Sequence, residues 1–405
     1  MSHLRSALLG AVCLLFGPIC ASAERFVLES SDDSVVGELR YTQARRDDTL
    51  IDIAREFDLG YDQIVSANRG INRWIPGEGT RVTLPQYHVL PDTPYRGLVL
   101  NIADLRLYYY PTPRVGYPQE VHTYPVSIGR MDWKTPLGIT RIVKKERDPA
   151  WRPPPSIRKE HALDGDPLPE VIPGGSPDNP LGRFALRLGI PTYLIHGVDE
   201  RKAFGIGMRV THGCIRMYPE DIEHLFGLVS VNTPVLLVNE PIKLGQRGGG
   251  IFLSVHQPLD EGEDENVPPL PRISLDTVTR YVRSHLGANT TFDYDEVTKI
   301  TEEGDGIPHQ IAQGVLPHKR PLAEKTSTLV PERPRTRKAL DREYEDAVAR
   351  YLQELPEKKT EERARERLAT KEVERGVREV PRRTPVAVTD TAEDDRVRRY
   401  LEERY

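Results

Sequence analysis

Residues 98–110 read LVLNIADLRLYYY and give the first clear indication of the fold class. Two runs rich in branched and aromatic side chains, Leu98–Ile102 and Leu105–Tyr110, are separated by a short polar turn. Such side chains pack well on a pleated surface and are enriched in strands. The sequence therefore predicts two strands joined by a turn.

Further predicted strands lie on the C-terminal side of this pair. They are short, rich in branched residues and bounded by turn residues, and they cover residues 124–128, 139–143, 193–195 and 234–238. One short helix is predicted at Pro219–Phe226, because proline suits a first helical turn and the apolar residues fall on one face. Many short strands with little helix indicate a mainly β domain over residues 96–240, a β-sandwich or a barrel-like fold.

Residues 41–86 predict a smaller unit in front of this domain. Apolar residues recur at helical spacing in Thr49–Phe57 and again in Tyr61–Asn68, and Thr80–Pro85 alternates like a strand. The order strand, helix, helix, strand resembles the LysM module, which binds glycans that contain N-acetylglucosamine, such as peptidoglycan. The matching residues are Asp48-Thr49-Leu50, Ile53-Ala54 and Asn68. Asp47 departs from the family, which usually has glycine there, and a small packing domain without a ligand is the alternative.

The first 23 residues, MSHLRSALLGAVCLLFGPICASA, have the pattern of a secretory signal. Arg5 provides a positive charge, an apolar run follows, and Ala21-Ser22-Ala23 is a small-x-small cleavage site. We therefore expect cleavage after Ala23 and a periplasmic protein, with an uncleaved anchor as the alternative. Cys13 and Cys20 would leave with the signal, so Cys214 would be the single cysteine of the mature chain. No later stretch is long and apolar enough to predict a transmembrane segment.

The C-terminal part of the chain is more polar. Residues 244–320 predict an accessory region, with a strand at Ile251–Val255 and a helix at Ile273–Leu286. Residues 321–405 are highly charged and predict a mostly disordered tail with one or two conditional helices. A partner-binding arm is the alternative reading of that tail. The formal net charge of the 405-residue chain is −5, which gives no indication of a nucleic-acid partner.

Two His-Gly pairs predict a site for nucleophilic catalysis. His196-Gly197 follows an apolar strand, and His212-Gly213 immediately precedes Cys214. A thiol becomes strongly nucleophilic only as a thiolate, and an adjacent imidazole can take its proton. Acyl transfer also needs donors for an oxyanion, commonly backbone N–H groups at a tight turn, and Gly213 permits such a turn.

The spacing of these residues resembles the catalytic signature of the L,D-transpeptidase (YkuD-type) family. His196 is followed, after fourteen residues, by Thr211-His212-Gly213-Cys214-Ile215-Arg216. The supporting matches are Ile128-Gly129, Thr135-Pro136-Leu137-Gly138, Asn179-Pro180-Leu181-Gly182 and Ile195-His196-Gly197. The resemblance covers residues 96–240 and implies a β-sandwich catalytic domain.

The resemblance also implies a role for each matching residue. Cys214 would be the nucleophile, His196 the general acid and base, and the Gly197 carbonyl would orient the imidazole. The amides of His212, Gly213 and Cys214 would stabilise the oxyanion. Arg216 stands where some members have asparagine, and it would position substrate carboxylates or brace the loop.

Members of this family act on peptidoglycan stem peptides. They attack the bond between the third residue and the D-Ala of a tetrapeptide stem and transfer the acyl group to an amine, without a cofactor or metal. An N-terminal LysM-like unit and a proline-rich extension resemble the members that attach a lipoprotein lysine to peptidoglycan. The alternatives are 3–3 cross-linking, hydrolysis by water, and a non-catalytic peptidoglycan-binding protein.

Two further sets of residues leave alternatives open. A zinc site is the competing chemistry for the cysteine and histidines, with His224 as the fourth ligand. Trp133 and Trp151 are candidates for lining the cleft or for packing, and Trp151 lies in the proline-rich run 149–155, which predicts an extended, rigid loop over the site.

Overall fold

The computed structural model describes residues 24–129, 135–163, 165–211, 213–258, 272–286 and 290–316. The strands are β1 Glu24–Val27, β2 Val35–Gly37, β3 Arg40–Gln43, β4 Arg81–Leu84, β5 Tyr87–Val89, β6 Gly97–Asn101, β7 Arg106–Tyr110, β8 Glu120–Pro125, β9 Ile128–Gly129, β10 Gly138–Arg147, β11 Phe184–Leu188, β12 Leu194–His196, β13 Arg209–Thr211, β14 Ile215–Arg216, β15 Pro234–Val238, β16 Ile242–Arg247, β17 Gly250–Val255 and β18 His309–Gln313. The α-helices are α1 Leu50–Glu56, α2 Tyr61–Ala67, α3 Pro155–Leu163, α4 Pro219–Leu228, α5 Leu275–Leu286 and α6 Tyr294–Glu303. The predicted mainly β class is confirmed.

A nine-stranded sheet forms the centre of the protein. Its order is β1-β8-β7-β6-β15-β10-β11-β12-β14. The two strands predicted from residues 98–110 are β6 and β7, which pair antiparallel with Val99 opposite Tyr108. Strands β6 and β15 are parallel, and so are β12 and β14 at the other end of the sheet. One face of the sheet packs on α4 through a cluster that includes Ile195, Ile215, Ile222 and Leu225.

The N-terminal unit contains β3, α1, α2 and β4, and β3 pairs antiparallel with β4. Helix α1 begins with a capping box, in which Thr49 Oγ1 accepts from the Asp52 N–H and the Asp52 carboxylate accepts from the Thr49 N–H. A small core with Leu50, Ile53 and Ile64 holds the two helices together. The order of elements matches the sequence prediction, and the identification of this unit as a LysM module stays a prediction.

A second small unit follows the central sheet. Strands β16, β17 and β18 form a three-stranded sheet, and α5 and α6 cover it with a core that includes Leu253, Val282 and Ile300. The sequence predicted β17 and α5 but missed α6 and β18. Helix α6 begins at the side-chain cap Asp293 and ends at Gly304, which has a left-handed conformation.

Some sequence-based expectations fall outside the described residues: the signal segment 1–23, Trp133, His212 and the tail 321–405. Within the described ranges, no helix has the length and apolar character that a membrane crossing requires.

Candidate active site

The parallel pairing of β12 with β14 brings the two predicted catalytic segments together. Ile195 lies opposite Ile215, and His196 lies opposite Arg216. Ile195 and Ile215 are both buried in the central core, so alternation along the strands places His196 and Arg216 on the other face. Cys214 directly precedes β14 and is therefore adjacent to the strand that ends in His196.

His196 is buried, with 3% of its surface exposed. Its Nδ1 lies 2.6 Å from the carbonyl oxygen of Gly197, and the Leu181 carbonyl is a second backbone acceptor for the ring. A carbonyl can only accept, so we assign the proton of the neutral ring to Nδ1. Burial lowers the pKa of His196 to about 3, and the positive charge of Arg216 acts in the same direction. The folded protein therefore holds a neutral imidazole.

Cys214 is a free, half-buried thiol. Its Sγ lies 3.7 Å from the Thr192 carbonyl oxygen. Burial raises the pKa of Cys214, and the Leu194 N–H and the charge of Arg216 oppose that rise. At neutral pH the site thus contains a neutral thiol next to a neutral imidazole, not a preformed thiolate–imidazolium pair.

Two threonine hydroxyls fix the loop that carries Cys214. Thr211 Oγ1 accepts from the Gly213 N–H at 3.1 Å and donates to the Cys214 carbonyl at 2.6 Å. Thr135 Oγ1 donates to the Gly213 carbonyl at 3.1 Å and accepts from the Gly129 N–H at 3.2 Å. Gly213 has a φ of +101°, which a residue with a side chain rarely adopts. The Gly213 N–H would have to share or break its hydrogen bond to Thr211 before it could donate to an oxyanion.

Asn179, in the segment Asn-Pro-Leu-Gly, connects the loops behind the histidine. Its Nδ2 donates to the carbonyls of Pro149 and Pro173 at 2.8 and 3.0 Å, and its Oδ1 accepts from the Leu181 N–H at 2.9 Å. Asn179 is 3% exposed, so these bonds are shielded from water. Through Leu181, whose carbonyl faces His196, the amide supports the position of the imidazole.

Arg216 is half-buried, lies opposite His196 in the β12–β14 pairing, and its charge acts on both His196 and Cys214. Its Nε is buried and has no hydrogen-bond partner among the residues that the structure describes. A guanidinium prefers a carboxylate or carbonyl acceptor in this position. The site therefore offers an unused donor for an acceptor group of a bound substrate.

Trp151 lies in the proline-rich run that the sequence predicts as a rigid loop. Trp151 exchanges two backbone hydrogen bonds with Ile172, of 2.9 and 2.8 Å, and is half-buried. The loop is extended at this point, and helix α3 begins at Pro155.

His224 lies apart from the arrangement that the zinc hypothesis needs. It is half-buried on α4, where its Nδ1 lies 3.1 Å from the Tyr124 hydroxyl. Within the described ranges, which leave out His212, no three His, Cys, Asp or Glu side chains are grouped closely enough to hold a metal ion.

Sequence reasoning missed two residues at the site. Thr192 contacts the thiol through its backbone carbonyl, and Arg187 lies close enough to lower the pKa of Cys214. Neither residue has a local sequence signal, because both reach Cys214 only through the pairing of β11, β12 and β14. Thr135 and Asn179 stood in segments singled out by the family resemblance, but their hydrogen bonds were not predicted.

A family model of the L,D-transpeptidase catalytic domain, YkuD, matches residues 95–237. The probable L,D-transpeptidase YcfS of Escherichia coli K12 is 38% identical, over 73% of this chain and 92% of its own length. The probable L,D-transpeptidases ErfK/SrfK and YbiS of the same strain are 33% and 37% identical, over 98% and 85% of their own lengths and 76% and 64% of this chain. A solved structure of L,D-transpeptidase 3 from Mycobacterium tuberculosis is 20% identical, with a TM-score of 0.26, over 39% of this chain and 66% of that chain.

Proposed function

The chain belongs to the L,D-transpeptidase family, and we propose that it is an exported enzyme that forms an acyl-thioester at Cys214 with peptidoglycan stem peptides. The observation that carries the proposal is the parallel pairing of β12 with β14, which brings the segment after Gly213 alongside the strand that ends in the buried, neutral His196. Cell-wall peptidoglycan is the substrate class of this family. The chain spans most of the length of its curated relatives, which supports the same reaction class for the whole protein.

In the first half-reaction, Cys214 Sγ attacks the carbonyl carbon between the third residue and D-Ala of a tetrapeptide stem. His196 takes the thiol proton as the S–C bond forms, because a neutral imidazole has one ring nitrogen without a proton. The C–N bond then breaks, and the amine of D-Ala takes that proton and leaves. The stem stays attached to sulfur as a thioester.

In the second half-reaction, an amine attacks the thioester and Cys214 regains its proton through His196. Backbone amides of the loop at residues 212–214 would stabilise the oxyanion in both steps. Arg216 has a buried Nε without a partner in the described part of the chain, which supports a role in holding a substrate carboxylate or carbonyl.

We infer that the acceptor amine is the C-terminal lysine of an outer-membrane lipoprotein and that the protein acts in the periplasm. This inference depends on the order of segments in the chain, a LysM-like unit before the catalytic domain and a charged extension after it. The unit at residues 41–86 would bind glycan next to the stem that is being cut. A diaminopimelate amine of another stem is the competing acceptor.

The test uses the mature protein with a disaccharide-tetrapeptide, with and without a lysine-terminated acceptor peptide, followed by mass spectrometry. We expect release of D-Ala, a covalent adduct on Cys214 and a product that depends on the acceptor. Cys214→Ala should form no adduct, whereas Cys214→Ser should keep the fold and lose most turnover.

The outcomes separate the candidate reactions. Release of D-Ala without acceptor would indicate a hydrolase, and preference for a diaminopimelate amine would indicate 3–3 cross-linking. A Cys214→Ala variant with full activity would refute the mechanism.

A further inference from the structure

Three carboxyl groups from distant parts of the chain lie near the start of the first strand of the central sheet. Asp58, which follows α1, and Asp221, in the first turn of α4, are 4% and 2% exposed, and their carboxyl groups are hydrogen-bonded to each other. Glu24, the first residue of β1, has a side chain that is 10% exposed. Burying neighbouring carboxyl groups is unfavourable unless cations or protons compensate them.

Positive charge around this cluster is insufficient. The buried guanidinium of Arg106 faces all three carboxyls and lies 3.9 Å from Glu24 Oε2. His88 lies 3.5 Å from the same oxygen, but burial lowers its pKa well below the usual value, so it is neutral. Arg55 is paired with Glu220, and Arg40, whose charge also acts on Glu24, is paired with Glu38, so neither pair adds net charge.

The oxygens of the cluster are also short of donors. Among the described residues, Glu24 Oε2, Asp58 Oδ1 and Asp221 Oδ2 are buried without a hydrogen-bond partner. Burial raises the pKa of Glu24 to about 8 and that of Asp58 to about 6. One further cation with several N–H donors would correct both the charge and the missing hydrogen bonds.

The backbone nitrogen of Glu24 is already in place for that role. It lies 3.0 Å from Asp58 Oδ2 and donates to it. The sequence predicts cleavage after Ala23, at the small-x-small run Ala21-Ser22-Ala23. Cleavage there adds water across the Ala23–Glu24 peptide bond: the C–N bond breaks, Ala23 keeps the oxygen as a carboxylate, and Glu24 keeps the nitrogen, which takes up protons to become an ammonium group.

We propose that a signal peptidase makes Glu24 the first residue of the mature protein and that the new α-ammonium group forms a buried ion pair with Asp58. One N–H of the ammonium keeps the bond to Oδ2, and the other two serve the remaining carboxylate oxygens of the cluster. Removal of the signal thus supplies the cation that the Asp58–Asp221 pair lacks.

The proposed ion pair would affect the catalytic segment through helix α4. Asp221 lies in the first turn of this helix, which follows β14 and therefore Cys214. The next residue, Ile222, packs close to Gly197, beside the catalytic histidine. An unprocessed chain has only a neutral amide at Glu24, so it must bury the acidic pair in a protonated form and should hold α4 less firmly.

The test compares two versions of the full mature chain, made by removing a fusion partner so that one begins at Glu24 and the other at Ala23. The extra alanine moves the ammonium one residue away and leaves a neutral amide opposite Asp58. At pH 7.5 we expect the chain that begins at Glu24 to have a thermal midpoint higher by about 5 °C. The same pair carrying Asp58→Asn should show no difference, whereas the pair carrying Asp33→Asn, at a half-buried loop position outside the cluster, should keep it.

Equal midpoints of the two chains, or a difference that persists with Asp58→Asn, would overturn the proposal. If Asp58→Asn does not fold, Asp221→Asn provides the same comparison. Intact-mass analysis of protein exported by a Gram-negative host should give a chain that begins at Glu24, and any other first residue would also overturn it. The proposal depends on the export step of the proposed function and not on chemistry at Cys214, so a failed acylation assay leaves these results interpretable.

Discussion

Replacing Asn179 with alanine should impair both stability and catalysis, although Asn179 is not expected to touch the substrate. The side chain makes three short hydrogen bonds, to the carbonyls of Pro149 and Pro173 and from the amide of Leu181. Alanine removes all three and leaves their partners behind the histidine without a bond. The Leu181 carbonyl, which faces the ring of His196, is then free to move.

The size of the effect can be worked out from these contacts. Each bond is worth about 1 kcal/mol net, so the free energy of unfolding should fall by about 3 kcal/mol. For a domain of this size the thermal midpoint should fall by about 6 °C. A displacement of the imidazole by about 1 Å costs on the order of 10²-fold in rate, so kcat should fall much more than binding weakens.

Asn101→Ala is the matched control. Asn101 is also fully buried, and its amide bonds the backbone of Glu240 in both directions, at 3.1 and 2.8 Å, at the end of β6. Both variants should lose similar stability in thermal melts, whereas only Asn179→Ala should lose acylation rate in a stopped-flow assay with tetrapeptide. Equal acylation rates in the two variants would refute the argument that Asn179 positions His196.

Three shorter predictions concern the same site. Because the pKa of His196 is lowered to about 3, the acid limb of the kcat/KM profile should appear below about pH 4, and a limb near the usual 6.5 would contradict the buried, neutral histidine. The folded state favours the neutral ring, so the stability that His196 contributes is complete above pH 6.5 and is lost as pH falls towards about 3; thermal melts of His196→Gln should lack this part of the pH dependence. Thr135→Val removes the hydroxyl that links Gly129 to Gly213 and should slow acylation by about tenfold, while Thr135→Ser should restore it.

Local sequence patterns predicted the elements that are richest in apolar residues. The run 98–110 became β6 and β7, and α4 has its apolar residues on the predicted face. The strand β1 and the helix α6 were both missed, although β1 alternates between more and less exposed residues and α6 buries one face. Helix α6 has clear capping residues, Asp293 and Gly304, which were available in the sequence as a signal.

For the candidate site, the sequence predicted the reacting residues but not the contacts around them. The spacing of His196 and Cys214 was readable because both residues belong to short, distinctive motifs. The contacts that set their protonation were not readable, because the Thr192 carbonyl and Arg187 reach the site only after β11, β12 and β14 have paired. A pKa depends on burial and on neighbours that are distant in sequence, so no local pattern predicts it.

The sequence also did not predict how the N-terminal unit contacts the rest of the protein, because its pattern resembles that of an independent module. In the structure, the first N–H groups of α2, at Tyr61 and Asp62, donate to the carbonyls of Ile206 and Gly207 at 2.9 and 3.1 Å. These carbonyls satisfy helix-terminal donors that a free module would expose to water. Gly207 has a φ of +88°, and a Cβ there would lie 2.3 Å from the Tyr61 nitrogen, so the contact requires glycine.

This docking has a consequence for how the unit would act on the wall. The loop at Gly207 leads directly into β13 and the Thr211 hydroxyl that holds Cys214. A unit fixed in this way cannot search for glycan on a flexible tether; it would present any bound glycan at one set distance from the thiol. Gly207→Ala should therefore displace α2 and β13 together, lowering the thermal midpoint and the acylation rate in the same variant. A variant that lost stability but kept its full acylation rate would show instead that the unit and the catalytic loop behave independently.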